Sequence, residues 1–312
     1  MNASRKGGVF LNSMKFNKII FPFLILLVFG CGQQAELGTK KNPIKMYFVP
    51  SIEADKIITG GNEVADIISE KTGYYFHVAV PTSYAAVIEA MGTKETDIAW
   101  LATYAYILAN QKFDAEVALT VVRKGFDKYR GQFIAHSDSN INSLEDIDGK
   151  TIAFTDAAST SGYIYPSALL IEKGIEPEKY FFAGGHPQVV LAVYSRKADV
   201  GCAFWTPANQ DVAHDARSTV IETYPDVMEK VKIIGFTEWI PNATVTFRKN
   251  FPAEMKEKIV NALLEFANED KGHQVLKDLL EIDNFIRATD KDYDSVREAM
   301  KLIGNDDMLL VD

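Results

Sequence analysis

The sequence predicts an α/β protein built from two similar units and closed by a helical tail. Short apolar runs alternate with helical patterns from residue 44 to 122, and the alternation resumes at residue 132. After residue 252 only helical periodicity remains. A twice-repeated β–α–β alternation argues for mixed, mostly parallel sheets covered by helices.

In the first unit, Ile44 to Pro50 alternates apolar and polar residues and reads as a strand ending at Pro50-Ser51. Ile57 to Lys71 places Ile57, Val64, Ile67 and Ile68 on one helical face and stops at Thr72-Gly73. Tyr75 to Val80 is a strand stopped by Pro81, and Ser83 to Met91 is a helix opened by a serine. Asp97 to Leu101 is a strand, Thr103 to Asn110 a helix, and Ala115 to Val122 a strand.

The second unit begins with the strand Gln132 to Ala135 and a short capped turn, Ser143 to Ile147. A strand at 151–154 leads into a helix from Ser161 that Gly174 closes. Tyr180 to Phe182, Val200 to Phe204, Val231 to Phe236 and Ala243 to Phe247 read as strands, with a helix from Pro187 to Ser195. The tail has helices at Pro252 to Asn268, His273 to Leu280 and Tyr293 to Ile303. Leu263, Leu264 and Phe266 there belong to a core stripe.

The first thirty residues read as a signal peptide. Arg5, Lys6, Lys15 and Lys18 precede an apolar run, Ile19 to Phe29, interrupted only by Pro22. That run is shorter than the ~20 residues of a membrane span and matches a signal core of ~7–15. Met14-Lys15-Phe16-Asn17-Lys18 would itself make a conventional signal start. Val28-Phe29-Gly30-Cys31 is similar to a bacterial lipoprotein box, with Phe29 in place of the usual small residue. The expectation is a lipidated Cys31 on a polar, flexible tether over 31–41, held at the extracytoplasmic face of a bacterial envelope membrane. A plain secreted protein or an N-terminal anchor fits the same residues.

Composition removes several function classes. The chain has 33 Lys and Arg against 42 Asp and Glu. Loss of four basic residues with the signal peptide leaves 29 against 42, a net charge of −13. Such an acidic chain is a poor nucleic-acid binder, although donors in a cleft act locally on a small anion. Two cysteines, one of them Cys31, give neither a disulfide framework nor a zinc motif, and the five histidines have no paired spacing. Cys202 reads as a small buried hydrophobe, His77 as a strand residue and His214 as part of a polar helix. No metal and no cofactor are expected.

The richest segment is Asp156-Ala157-Ala158-Ser159-Thr160-Ser161-Gly162, between a buried strand and a helix. Unpaired N–H groups and the positive end of the dipole favour an anion at a helix start. Ser159, Thr160 and Ser161 add hydroxyl donors, and Gly162 admits close backbone approach. An ordinary Ser/Thr cap accounts for the same residues. Ligands of open α/β sheets lie beyond the carboxyl ends of strands. Ser51, Thr103-Tyr104 and Gly184-Gly185-His186 occupy such ends too.

Several ordered segments carry a family resemblance. They are Tyr84-Ala85-Ala86-Val87-Ile88-Glu89-Ala90, Asp97-Ile98-Ala99-Trp100-Leu101, Tyr129-Arg130-Gly131-Gln132 and Leu144-Glu145-Asp146-Ile147-Asp148-Gly149-Lys150. Ser159-Thr160-Ser161-Gly162-Tyr163, Gly184-Gly185-His186 and Ala198-Asp199-Val200 follow. The chain resembles the substrate-binding lipoproteins of ABC importers in the phosphate/phosphite/phosphonate-binding family. The resemblance implies a two-lobed type II periplasmic binding protein that works as a monomer with permease subunits. One lobe would be 42–131 plus 238–312 and the other 132–237. It implies that the 159–161 loop holds phosphonate-type oxygens, that Tyr84 donates from the facing lobe, that His186 approaches from the second, and that Tyr129 lies near the crossover.

The chain departs from the family pattern at several points. Ala102-Thr103 replaces a frequent Gly-Pro, so Thr103 adds either a donor or a helix cap. Pro187 follows His186, where the family usually has an acidic or polar residue. Phe204-Trp205-Thr206-Pro207 and Pro241-Asn242-Ala243 carry no carboxylate, although Glu238 is close. Burying an uncompensated ammonium costs several kcal/mol, which argues against an aminophosphonate. Trp205 would wall the pocket, stack on an organic substituent, or pack in the core. The expected ligand is a small phosphorus oxyanion, with a sulfonate or another small organic acid as the alternative on the same fold. An esterase built from Ser161, His186 and Asp156 lacks the Gly-x-Ser-x-Gly elbow.

Overall fold

Apolar alternation makes Ile44–Phe48 (β1) a central strand, with Ile44, Met46 and Phe48 buried. The computed structural model describes residues 35–207 and 214–304. The expected signal peptide and Cys31 lie outside the described residues. Residues 35–41, expected as part of a flexible tether, are instead held on the fold. Tyr75 N–H donates to Gly38 O at 2.8 Å, and Leu37 packs on a buried cluster. The apolar Leu37 and the turn at Gly38, φ +85°, explain the difference.

From β1 the chain forms Ala54–Thr72 (α1), Phe76–Ala79 (β2), Tyr84–Gly92 (α2), Ile98–Leu101 (β3), Thr103–Phe113 (α3) and Glu116–Val122 (β4). Helix α1 buries Ile57, Val64, Ala65, Ile67 and Ile68 along one stripe. It ends at Gly73 in the left-handed region. Ser83 Oγ caps α2 by accepting from Ala86 N–H at 3.2 Å.

The chain then crosses into Lys128–His136 (β5). Thr151–Phe154 (β6), Tyr165–Lys173 (α4), Lys179–Phe182 (β7), His186–Tyr194 (α5), Val200–Thr206 (β8) and the short His214–Asp215 (β9) follow. Val227–Lys230 (α6) and the long Val231–Pro241 (β10) lead back to Thr244–Phe247 (β11). Ala253–Ala267 (α7), Asp270–Leu280 (α8), Asn284–Arg287 (β12) and Asp294–Leu302 (α9) complete the described chain.

Two mixed sheets result. The first has the order β12-β4-β11-β3-β1-β2 and the second β10-β5-β8-β6-β7, with β9 beside β8. The parallel pairs expected from the β–α–β alternation are β2–β1–β3 and β7–β6–β8. The remaining pairings, among the described residues, are antiparallel. Strands β5 and β11 follow the preceding strand without a helix between, whereas β10 follows α6 and β12 follows α7 and α8 and runs back antiparallel along β4. His214, expected on a polar helix, belongs by its backbone to β9. Strand pairing with Trp205 and Thr206 overrides the local polar pattern.

Three buried clusters cover the sheets. One joins β1, β3 and β4 to α1, α7 and α8, and another joins β8 and β10 to α5. The third runs from α2 and α3 through Tyr163 and Ile164 to α4 and α9, so it spans elements beside both sheets. Helix α9 packs against α3, α4 and β10. Tyr106 Oη donates to Asp290 Oδ1 at 2.6 Å just before it.

Candidate binding cleft

Strand β6 ends at Phe154, and the next ten residues build a corner. Asp156 accepts from Ala158 N–H at 2.8 Å, and Ser159 Oγ accepts from Gly162 N–H at 3.2 Å. Residues Thr160–Ile164 form a wide π-type turn in which Ile164 N–H donates to Ser159 O at 3.1 Å. Pro166 has no N–H to give Gly162 O, which accepts from Thr155 N–H at 3.1 Å instead. The turn therefore starts wider than an α-helix, a distortion frequent at functional sites. Thr160 and Ser161 stand at its start, where N–H groups lack an intrahelical acceptor. A Cβ on Gly162 would lie 2.1 Å from Thr155 Oγ1, so only glycine fits this approach.

The corner faces elements of the first sheet. Tyr104 N–H, at the start of α3, donates to Thr160 Oγ1 at 2.7 Å. His186 N–H donates to Ser51 O at 3.3 Å. Tyr84 reaches the Ser159 side chain, and burial pushes its phenol well above the ordinary range. Tyr129 reaches Ser161, and burial raises its phenol as well. Both phenols therefore stay protonated and can donate.

A cavity of about 740 Å³ opens between these elements. Ser51, Tyr84, Tyr129, Ser159, Ser161 and His186 line it. The other residues expected at the site stand behind the wall. Thr160 is committed to Tyr104, and Gly162 lies against Thr155. Thr103 Oγ1 donates to Pro241 O at 2.6 Å, so its hydroxyl ties α3 to the end of β10. Tyr104 contributes its backbone N–H, and burial raises its phenol to about 12. Trp205 corrects the expectation of a pocket wall. It packs on Phe236 and Trp239, with ring centroids 4.8 and 6.4 Å away, outside the cavity. The alternation of β8 turns Phe204 to the cavity and Trp205 to the opposite face.

His186 is only 5% exposed. Burial alone lowers its imidazole to about 3, so the ring is neutral. Its Nδ1 lies 3.1 Å from Thr155 Oγ1, and its ring packs edge-on to Phe204. The orienting group is thus a threonine. Asp156 faces the backbone of Ala158 and Tyr84, so no serine–histidine–aspartate relay forms.

Charged residues that sequence reasoning missed also line the cavity. Arg123 and Lys124 follow β4, and Lys56 comes from α1. Lys277, Asp278, Glu281 and Asp283 come from the end of α8. The segments at 204–207 and 241–243 carry no carboxylate, so the acidic groups of the cavity come from the end of α8 instead. Arg123 Nε donates to Leu280 O at 2.9 Å. Asp283 accepts from Gly125 N–H at 3.0 Å, Asp278 accepts from Gln274 at 2.8 Å, and Glu281 stands 3.8 Å from Lys124. The strand-end rule that singled out Ser51 applies equally to Arg123. The α8 residues approach only through tertiary packing. Among the described residues, no group of His, Cys, Asp and Glu is placed to hold a metal.

A sequence profile described as "ABC transporter, phosphonate, periplasmic substrate-binding protein" matches residues 46–293. The chain belongs to this family. It is a substrate-binding component of an ABC transporter, an extracytoplasmic role, and not an enzyme. The "Phosphate-import protein PhnD" of Mycolicibacterium smegmatis is 26% identical over 286 residues, covering 84% of this chain and 86% of that protein. A binding protein component of an ABC phosphonate transporter from Pseudomonas aeruginosa has the same fold, with TM-score 0.75 and 22% identity over 84% of this chain and 87% of that one. PhnD1 from Prochlorococcus marinus, solved with methylphosphonate, superposes with TM-score 0.71 and 18% identity over 84% and 98% of the two chains. These likenesses establish the two-sheet architecture of a type II periplasmic binding protein.

Proposed function

We propose that this chain captures a small phosphorus oxyanion, of the phosphonate, phosphite or phosphate class, in the cavity between its sheets. The observation that carries the reading is the π-type turn whose Ser159 and Ser161 open on the cavity opposite Tyr84 and Tyr129. Hydroxyl and N–H donors replace the ligand's hydration, and charge-assisted hydrogen bonds are about twice as strong as neutral ones. Arg123 and its neighbouring lysines add a positive field at the cavity wall.

The ligand would bridge residues 42–131 plus 238–312, as one lobe, and 132–237, as the other. The ligand-bound monomer would dock on permease subunits, and lipid on Cys31 would keep it at the membrane after loss of residues 1–30. A ligand that binds only the folded state raises its melting temperature. A thermal-shift screen over phosphite, phosphate, methylphosphonate, sulfate and methanesulfonate tests the reading. Stabilisation by a phosphorus oxyanion supports it, and stabilisation by the sulfur compounds alone overturns it.

A further inference from the structure

The hydrogen bonds behind His186 favour one of its two neutral tautomers. Thr155 Oγ1 has one hydrogen, and Cys202 O, 3.2 Å away, can only accept it. With that hydrogen on Cys202 O, Thr155 Oγ1 accepts from His186, which places the proton of the neutral ring on Nδ1, 3.1 Å away. Nε2 is left with a lone pair, on a ring that lines the cavity beside Ser159, Ser161 and Tyr84.

An acceptor at this place is at odds with a fully ionised guest. Every oxygen of a dianionic phosphonate is an acceptor, so facing Nε2 would set two lone pairs together. A guest that keeps one P–O–H can donate to Nε2 while its other oxygens accept from the turn and the phenols. Resting on the functional reading above, we propose that His186 presents Nε2 as a hydrogen-bond acceptor and so selects the singly protonated form of the phosphorus oxyanion.

The surroundings do not supply a second proton to the ring. The elements packed against α5 are β5, β6, β8, β10 and the turn at 216–220. Their ionisable groups are Lys128, Tyr129, Arg130 and His136 on β5, Cys202 on β8, Arg217 in the turn, and Lys232 and Glu238 on β10. Asp215, beside that turn, is paired with Arg217. On the cavity side stand Tyr84, Lys56, Arg123, Lys124 and the charged end of α8, with Asp156 held by the backbone of Ala158 and Tyr84. None of them shifts His186, whose neutrality comes from burial alone.

Calorimetric titration with methylphosphonate across its second ionisation tests the proposal. The apparent affinity is expected to hold while the monoanion dominates and then to fall about tenfold per pH unit. Above that ionisation, titrations in buffers of different ionisation heat should show uptake of one proton per ligand bound. His186→Gln should flatten the profile, because an amide can offer either an acceptor or a donor. Nitrogen NMR of the unmodified protein reads the tautomer directly, with protonated Nδ1 and bare Nε2 expected. Affinity that ignores the ligand's ionisation, or a proton on Nε2, overturns the assignment while leaving oxyanion binding intact. Failure of every phosphorus oxyanion to bind at pH 6 overturns the functional reading and this one with it.

Discussion

The Tyr104 backbone N–H donates to Thr160 Oγ1 at 2.7 Å, joining the first turn of α3 to the corner that follows β6. Both residues are buried, so the bond has no competing water. It connects elements beside different sheets, and it holds the turn that carries Ser159 and Ser161. Thr160→Val keeps the shape and removes the acceptor. A buried donor left unpaired costs about 1–3 kcal/mol. The expected outcome is a lower melting temperature together with ligand affinity weakened about 5- to 100-fold, read by thermal shift and calorimetry. Unchanged values for both would show that the contact positions nothing.

Ser161→Ala separates binding from folding. Ser161 lines the cavity, and Tyr129 reaches its side chain. Losing one hydrogen bond to a charged ligand removes about 1.5–3 kcal/mol. Affinity for the phosphorus oxyanion should fall about ten- to a hundredfold, while urea unfolding stays a single cooperative step. Wild-type affinity in this variant would remove Ser161 from the ligand's shell.

The legible parts of this chain were those written in local pattern. Apolar alternation located β1, the run after Gly149 located β6, and the glycines at 73 and 174 located helix ends. The corner at 159–162 was visible because serine, threonine and glycine cluster between a strand and a helix. Strand β12 was not, since Asn284–Arg287 is, among the described residues, an edge strand paired with β4 and has half its side chains exposed. The π-type turn was invisible because it depends on Thr155 N–H taking the Gly162 carbonyl that Pro166, lacking an N–H, leaves open. Arg123 stands at a strand end as Ser51 does, but a basic residue there reads equally as a solvated loop residue. Trp205 was misplaced because an aromatic residue near a strand end says nothing about which face it takes.

Ligand preference follows from how the cavity carboxylates are already engaged. Asp283 holds Gly125 N–H, Asp278 holds Gln274, and Glu281 is near Lys124. Lys56, Arg123, Lys124 and Lys277 outnumber them on the wall. An added ammonium would therefore lose hydration and meet a positive field. Methylphosphonate is expected to bind more tightly than 2-aminoethylphosphonate in a direct calorimetric comparison. The reverse order would mean that one of the α8 carboxylates turns to the ligand.

Stability in acid should report His186 separately from binding. The imidazole stands at about 3 in the folded chain against 6.5 for an unperturbed group. Between those values the unfolded chain binds a proton that the folded chain refuses. Stability therefore rises with pH through this window and is lost as pH falls from about 6.5 toward 3. The loss from this one group approaches 1.4 kcal/mol per pH unit at mid-window. His186→Gln has no such proton to refuse, so its unfolding free energy should decline less steeply over the same range. Carboxylates held by partners, such as Asp226 with Lys230, add their own acid sensitivity to both proteins and cancel in the difference. Urea titrations of the two proteins between pH 4 and 7 measure that difference. Parallel curves would show that His186 is solvated in the folded chain and is not held in a dry wall.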